Sequence, residues 1–237
     1  MPPGFGGLDP VGRRLKAGGG GGRSAARSYH ITIHFNPQKI ITMPSPMTDL
    51  IAIDLETSGL DPATDFVLAL GACTWTGATF YRLIMPPCTW LGTRKKVGAG
   101  AVKVNGYHPT AWKKRGAVEA SDAARSFALW LGQVSKEGAR RPLAHNSGFD
   151  HAFLDAFSEQ TGVHFPLGHR WECSMASLSF AQRAGIVRPG AASLDHLARI
   201  TAQERPAIHD ALADALVSLR GYAALIELMK HERTAML

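Results

Sequence analysis

The chain has 237 residues, 45% of them apolar, enough for one packed domain with chain to spare. Its formal net charge is +7, but Arg13, Arg14, Lys16, Arg23, Arg27 and Lys39 stand against Asp9 alone in residues 1–46. That segment therefore carries +5 and the remainder only +2, so the charge does not by itself mark a nucleic-acid-coating protein. Cys73, Cys88 and Cys173 are odd in number and show no zinc-ligand spacing. No apolar run approaches the roughly 18–20 residues that span a bilayer, so a disulfide scaffold, a zinc module and a membrane protein are all disfavoured. A reducing, cytoplasmic setting is expected.

Residues 1–46 read as a disordered Gly/Arg-rich tail, with five glycines from Gly18 to Gly22. Their Arg-rich, acid-poor composition suits a mitochondrial transit peptide, but the glycine run opposes the amphipathic helix such a peptide needs. An upstream start artefact, with translation beginning at Met43 or Met47, is the favoured alternative. Alternation over residues 30–35 predicts a short strand.

From residue 47 the texture is that of a folded domain, taken as 47–237. Leu50-Ile51-Ala52-Ile53 predicts a buried strand, ended by the turn residues of Asp54 to Asp61. Phe66 to Thr74 and Thr79 to Met85 predict two more, and the three form an antiparallel meander. Residues 86–118 yield only the Asn105-Gly106 turn and a helix starting near Pro109. Ser121 to Lys136 predicts a helix with Ser121 as its N-cap. A strand at Leu143-Ala144-His145 leads into a helix from about Phe149 to Thr161. A last strand at Trp171-Glu172-Cys173 precedes helices over Ser174–Ala184 and Ser193–Ile200. The final helix, Asp210 to His231, carries an apolar stripe of Leu212, Leu216, Leu219, Ala223 and Ile226. The order of elements is that of an α/β protein with a mixed sheet.

Three short patterns carry chemistry. Asp54 and Glu56, at i and i+2, share one face of a strand, where two carboxylates repel unless a cation joins them. A strand ending in a polar turn explains them equally well. Asp150 follows His145-Asn146-Ser147-Gly148-Phe149 where a helix begins, a position that also suits a carboxylate merely favoured by the macrodipole. His209 and Asp214 are five apart, about 140° on a helix, so they converge only if His209 lies in the preceding loop. By periodicity Asp214 points away from the apolar stripe, into solvent, although Ala211, Ala213, Ala215 and Ser218 around it are small.

Asp-x-Glu, a distant His-Asn-x-x-Phe-Asp, then His-x-x-x-x-Asp, in this order, resembles the DEDDh 3′→5′ exonucleases. These include the proofreading epsilon subunits of replicases, oligoribonuclease and ribonuclease T, in the ribonuclease H-like superfamily. The stretch from Asp54 to Pro62 is very similar to the family's first motif, and the likeness covers roughly residues 48–230. The resemblance implies a five-stranded mixed sheet, three antiparallel strands then parallel ones, flanked by helices. It implies that Asp54, Glu56, Asp150 and Asp214 hold two Mg²⁺ or Mn²⁺ ions and that His209 is the general base. It places Thr57, Ser58, Gly59 and Leu60 over the terminal nucleotide, with Phe149 as a stacking candidate and Asn146 as an orienting group; core packing would explain Leu60 and Phe149 as well.

The expected activity is metal-dependent release of nucleoside monophosphates from single-stranded DNA 3′ ends, in replication or repair. The rivals are an RNA-directed enzyme of the same family and a catalytically silent nucleic-acid-binding adaptor. A polymerase partner would find no C-terminal tether after the last helix, so a stand-alone enzyme, bacterial or phage-encoded, is expected. Basic clusters at Arg94-Lys95-Lys96, Lys113-Lys114-Arg115 and Arg140-Arg141 suit phosphates or a solvated face, and the second is preferred for at least two of them.

Overall fold

The run Leu50-Ile51-Ala52-Ile53 opens β1 (Leu50–Thr57), and all four side chains are buried because both faces of the strand are covered. Strand β2 (Val67–Thr74) is buried along its whole length, whereas β3 (Thr79–Leu83) alternates between exposed and buried, as an edge strand does. These form the expected antiparallel meander. Strands β4 (Arg141–Ala144) and β5 (Glu172–Cys173) then add in parallel on the other side of β1, giving the order β3-β2-β1-β4-β5. The computed structural model describes residues 47–89, 91–134 and 141–235. The tail reading, the strand over 30–35, Arg140 and the helix end at Lys136 lie outside them.

The helices are α1 (Ala99–Asn105), α2 (Pro109–Lys114), α3 (Ala120–Val134), α4 (Ser147–Thr161), α5 (Ser174–Arg183), α6 (Leu194–Ile200) and α7 (Ala211–Ala235). Ile51, Ile53 and Leu55 face α3 and α4, where Phe127, Leu131, Phe153 and Phe157 complete one core. Leu50 and Ala52 face α7 and pack on Ala215, Leu219 and Ala223. Asp54 and Glu56 continue this second series, so both carboxylates lie on the side of the sheet that α7 covers.

Two sequence expectations shift in detail. Strand β1 runs four residues beyond Ile53, which puts Asp54 and Glu56 inside it. Helix α3 starts at Ala120, so Ser121 sits in its first turn and is not the N-cap; the Glu119 carbonyl accepts from the amides of Asp122 and Ala123.

One arginine of each basic cluster is tied to neighbours. Arg94 pairs with Glu119, and Arg141 bonds Asp49 and Glu172 at the end of the sheet where β1 and β4 begin. Arg115 lies over the Trp112 ring. Among the described residues, no helix is long and apolar enough to cross a membrane.

Candidate active site

Strand β1 pairs with β4 only from Leu50 to Ala52, so its second half runs on past β4. There the Leu55 amide faces away from β2's ladder and donates instead to Oδ1 of Asp150, at 3.2 Å. Asp150 stands in the first turn of α4, and Asn146 precedes that helix. The Asn146 carbonyl accepts from the amides of Phe149 and Asp150. A cleft of about 460 Å³ opens at this point, where the sheet switches direction and ligands of α/β proteins commonly sit. Asp54, Glu56, Asp150, Asp214, His209, Asn146 and Phe149 all line it.

The last of the acids arrives on α7. Asp210 caps that helix, accepting the Ala213 amide at 3.1 Å, as its position in the sequence suggests. His209 precedes the cap outside the helix, and its Nδ1 lies 3.6 Å from Oδ2 of Asp214. The convergence that helix spacing forbids is thus made by the loop.

Asp214 itself departs from the reading taken from the stripe: it is 1% exposed, not solvated. Helix α7 does not have a single apolar face. It packs on β1 and β2 on one side and, through Val217 and Leu225, on α5 and α6 on another. Gly71 of β2 makes the close approach possible, since a Cβ there would stand 2.2 Å from the Ala211 carbonyl carbon. Gly71 is the register partner of Asp54, so the residue that admits α7 lies beside the residue Asp214 must reach.

One donor atom each from Glu56, His209 and Asp214 gathers within 4.8 Å of the others. Oε1 of Glu56 is buried without a hydrogen-bond partner. Burial holds the Asp54 carboxyl well above the usual carboxylate range, and the charges of Asp150, Asp214 and Glu56 push it further; Arg205 opposes them. Burial, then Asp214 and Asp210, raise Glu56 to about 8, and burial raises Asp150 to about 7. An orphaned oxygen among mutually repelling buried carboxylates fits a hard divalent cation, which would draw on Asp54, Glu56, Asp150 and Asp214.

His209 is shifted the other way. Burial and the Arg205 charge lower its pKa against the pull of Asp214 and Asp195, which favours the neutral imidazole.

The loop after β1 is closed by its own side chains. Oγ of Ser58 donates to Asp65 at 2.9 Å and accepts the Phe66 amide at 3.1 Å, while Oγ1 of Thr57 donates to the Gly59 carbonyl at 2.6 Å. A Cβ on Gly59 would collide with the Asp65 carboxylate at 2.2 Å. Thr57 and Ser58 are therefore buried, with their hydroxyls engaged, whereas Leu60 is 84% exposed and belongs to no core. Phe149 does both things considered for it: it packs on Phe153 at 4.7 Å between ring centres and lines the cleft.

Arg205, Asn105 and Asp65 take part without a functional signal in the sequence pattern, and His145 appears there only as the first residue of the Asp150 motif. Arg205 donates from Nε and Nη2 to the two oxygens of Asp214, at 2.7 Å each, and from Nη1 to Asp195. His145 bonds Ser174 through Nδ1 at 2.9 Å, and burial lowers its pKa to about 4. Asn105 donates from Nδ2 to the Thr57 carbonyl at 3.1 Å, while the Val104 carbonyl accepts the His209 amide at 3.2 Å. Helix α1 thereby straps the first-motif loop and the His209 segment together. Asp65 and Asn105 sit among turn residues, and only their side-chain bonds reveal them.

The family model RNase_T, described as an exonuclease, matches residues 51–222. No curated protein sequence matches the chain significantly. Among solved structures, a product-bound exonuclease I superposes with a TM-score of 0.58 at 19% identity, over 77% of this chain and 43% of that one. The zinc-bound form of the Escherichia coli exonuclease I–single-stranded DNA complex gives 0.61 at 18% identity, over 78% and 41%. Cell-death related nuclease 4 gives 0.59 at 13% identity, over 76% and 64%. The chain thus spans less than two thirds of each of these neighbours, and at such identities they speak to the fold alone. Its sheet, three antiparallel strands followed by parallel ones and flanked by helices, is theirs. With the family model covering most of its length, the chain belongs to the RNase_T exonuclease family of the DEDD superfamily and has its ribonuclease H-like fold.

Proposed function

We propose that residues 47–237 form a metal-dependent 3′→5′ exonuclease domain that releases nucleoside monophosphates from the 3′ ends of DNA, with single strands as its substrate. The observation that carries this reading is the convergence of carboxylates from β1, α4 and α7 on one cleft, with an imidazole at its mouth.

Asp54, Glu56, Asp150 and Asp214 would hold two Mg²⁺ or Mn²⁺ ions. When bound, such ions supply charge for the attacking and leaving oxygens of an in-line displacement at phosphorus. The rest falls to the chain. His209 is 42% exposed and turns Nδ1 to Asp214, leaving Nε2 to take a proton from water. The water oxygen bonds to phosphorus, the P–O3′ bond breaks, and the departing O3′ takes a proton from solvent, to which the imidazolium returns its own, and becomes the new 3′-hydroxyl of the penultimate sugar. Asp214 orients the imidazole and favours the imidazolium that results. Because the hydroxyls of Thr57 and Ser58, the Ser58 amide and the carbonyls of Thr57, Ser58 and Gly59 are all engaged within the fold, recognition of the terminal nucleotide by this turn falls to the Gly59 amide and the Leu60 side chain. Leu60 and Phe149 are the apolar surfaces against which a base can stack. Asn146, exposed at the start of α4, orients groups at the cleft. Retention of all five catalytic positions favours an enzyme over a silent adaptor.

Single-stranded DNA is preferred over RNA because exonuclease I, a structural neighbour, is described in complex with it. The test uses single-stranded DNA, duplex DNA and short RNA, each 3′-labelled, in Mg²⁺ or EDTA, with the wild type and Asp54→Ala. Mononucleotide release from DNA that both EDTA and the substitution abolish is the expected result. Faster release from RNA would move the assignment to an exoribonuclease. No metal-dependent release from any substrate would overturn the proposal.

A further inference from the structure

We propose that Arg205 competes with the divalent cation for the Asp214 carboxylate, and so sets the metal affinity of the site. The inference rests on the metal-dependent reading above. Both oxygens of Asp214 are engaged by one guanidinium fork, Nε to Oδ1 and Nη2 to Oδ2, at 2.7 Å each. The pair is enclosed: the side chains of Arg205 and Asp214 are 9% and 2% exposed. A guanidinium does not deprotonate, so this is a permanent cation. Burial disfavours its charge, but the hydrogen bonds and charge of Asp214, and then of Asp195, hold its pKa well above the usual value.

A bidentate fork uses the in-plane lone pairs that a metal ion would use. The fork takes one lone pair on each oxygen, so a cation bound in the chelating direction must displace the N–H donors, and one bound through a remaining lone pair meets an oxygen whose charge the guanidinium already shares. The charge of Arg205 also acts on Asp54 and Glu56, where it opposes the repulsion among the acids without overcoming it. The third contact explains why such an exchange does not disrupt the loop. Nη1 bonds Asp195, on the first turn of α6 and 66% exposed at the rim, so Arg205 stays anchored there when an oxygen of Asp214 is released.

The experiment measures Mn²⁺ binding to the full chain by calorimetry, with unfolding temperatures in EDTA and in Mn²⁺, for the wild type, Arg205→Met and Arg205→Lys. Lysine keeps the charge and loses the fork. Mn²⁺ affinity is expected to rise about tenfold in Arg205→Met, equivalent to about 1.4 kcal/mol, and by a smaller but measurable factor in Arg205→Lys. In both, Mn²⁺ should raise the unfolding temperature by more than in the wild type, because the metal-free form has lost the partner of Asp214. A merely structural arginine would lower both temperatures together and leave the affinity alone. Wild-type affinity in Arg205→Lys would show that only long-range charge matters and would overturn the inference, as would weaker binding in either variant. Should Arg205→Met fail to fold, the lysine variant decides alone. A wild type that binds no Mn²⁺ overturns the metal reading together with this one, whereas binding that neither variant alters overturns this one only.

Discussion

Replacing Gly71 by alanine tests whether the seating of α7 on the sheet creates the site. The added Cβ would stand 2.2 Å from the carbonyl carbon of Ala211, 2.3 Å from the Leu212 nitrogen and 2.4 Å from the Ala211 oxygen. All three are backbone atoms, so no side chain can swing aside. Restoring ordinary carbon contacts requires the first turn of α7 to retreat by about 1 Å. Overpacking of this kind costs about 1–3 kcal/mol. For a domain of this size that is a fall of roughly 2–4 °C in melting temperature per kcal/mol, with the fold retained. The same 1 Å moves Asp214 away from Glu56 and His209, and misplacement on that scale costs on the order of 100-fold in turnover. The assay is steady-state release of mononucleotide at saturating Mn²⁺, alongside Mn²⁺ affinity and thermal unfolding. Gly132→Ala in α3 is the control: a Cβ there meets nothing within 4 Å, and the change should be neutral or stabilising by up to about 1 kcal/mol. Wild-type turnover and Mn²⁺ affinity in Gly71→Ala would refute the idea that the β2–α7 approach places Asp214.

His209→Ala should keep Mn²⁺ affinity within a few-fold and lose roughly 100- to 10,000-fold in kcat; near-normal turnover would remove His209 from the mechanism. In EDTA, stability should fall as pH rises from 6.5 to 8. Over that range folded Glu56, raised to about 8 by burial and neighbouring acids, holds a proton that the unfolded chain has released. The slope is about 1.4 kcal/mol per pH unit from Glu56, with Asp150, raised to about 7, adding to it at the lower end, read by urea titration. His145, lowered to about 4, acts in the opposite sense, losing stability as pH falls through its unfolded value of 6.5, and so leaves this window clear. Stability that holds or rises between pH 6.5 and 8 would contradict the burial of Glu56. Asn105→Ala removes the bond to the Thr57 carbonyl and should raise KM for single-stranded DNA more than it lowers kcat; an unchanged KM would detach α1 from substrate binding.

Strand order, the two carboxylates of β1 and the loop position of His209 are legible in the sequence because each follows from a local rule: an apolar run, the two-residue alternation of a strand, an N-cap. Asp214 is not, because periodicity finds one apolar stripe and α7 is covered on more than one side. The small residues Ala211, Ala215, Ser218 and Gly221 that permit this also weaken the apolar signal. Helix α1 escapes notice since glycines begin and interrupt it while Val104 is exposed, so no buried stripe announces it. Arg205 lies in an aperiodic stretch between α6 and α7, and nothing about its neighbours foretells two aspartates nine and ten positions away.

The way the acids are distributed also governs when the nuclease comes into being. Strands β1, β2 and β3 are joined by short turns and can pair early, but they contribute only Asp54 and Glu56. Asp150 reaches the Leu55 amide across 95 residues of chain, and Asp214 lies on the last helix of the chain. Long-range closures of this kind are slow steps in folding. A cleft holding Asp54, Glu56, Asp150 and Asp214 together therefore requires the final helix to be settled on the sheet. The proposed activity would thereby be absent from a misfolded or unfinished chain.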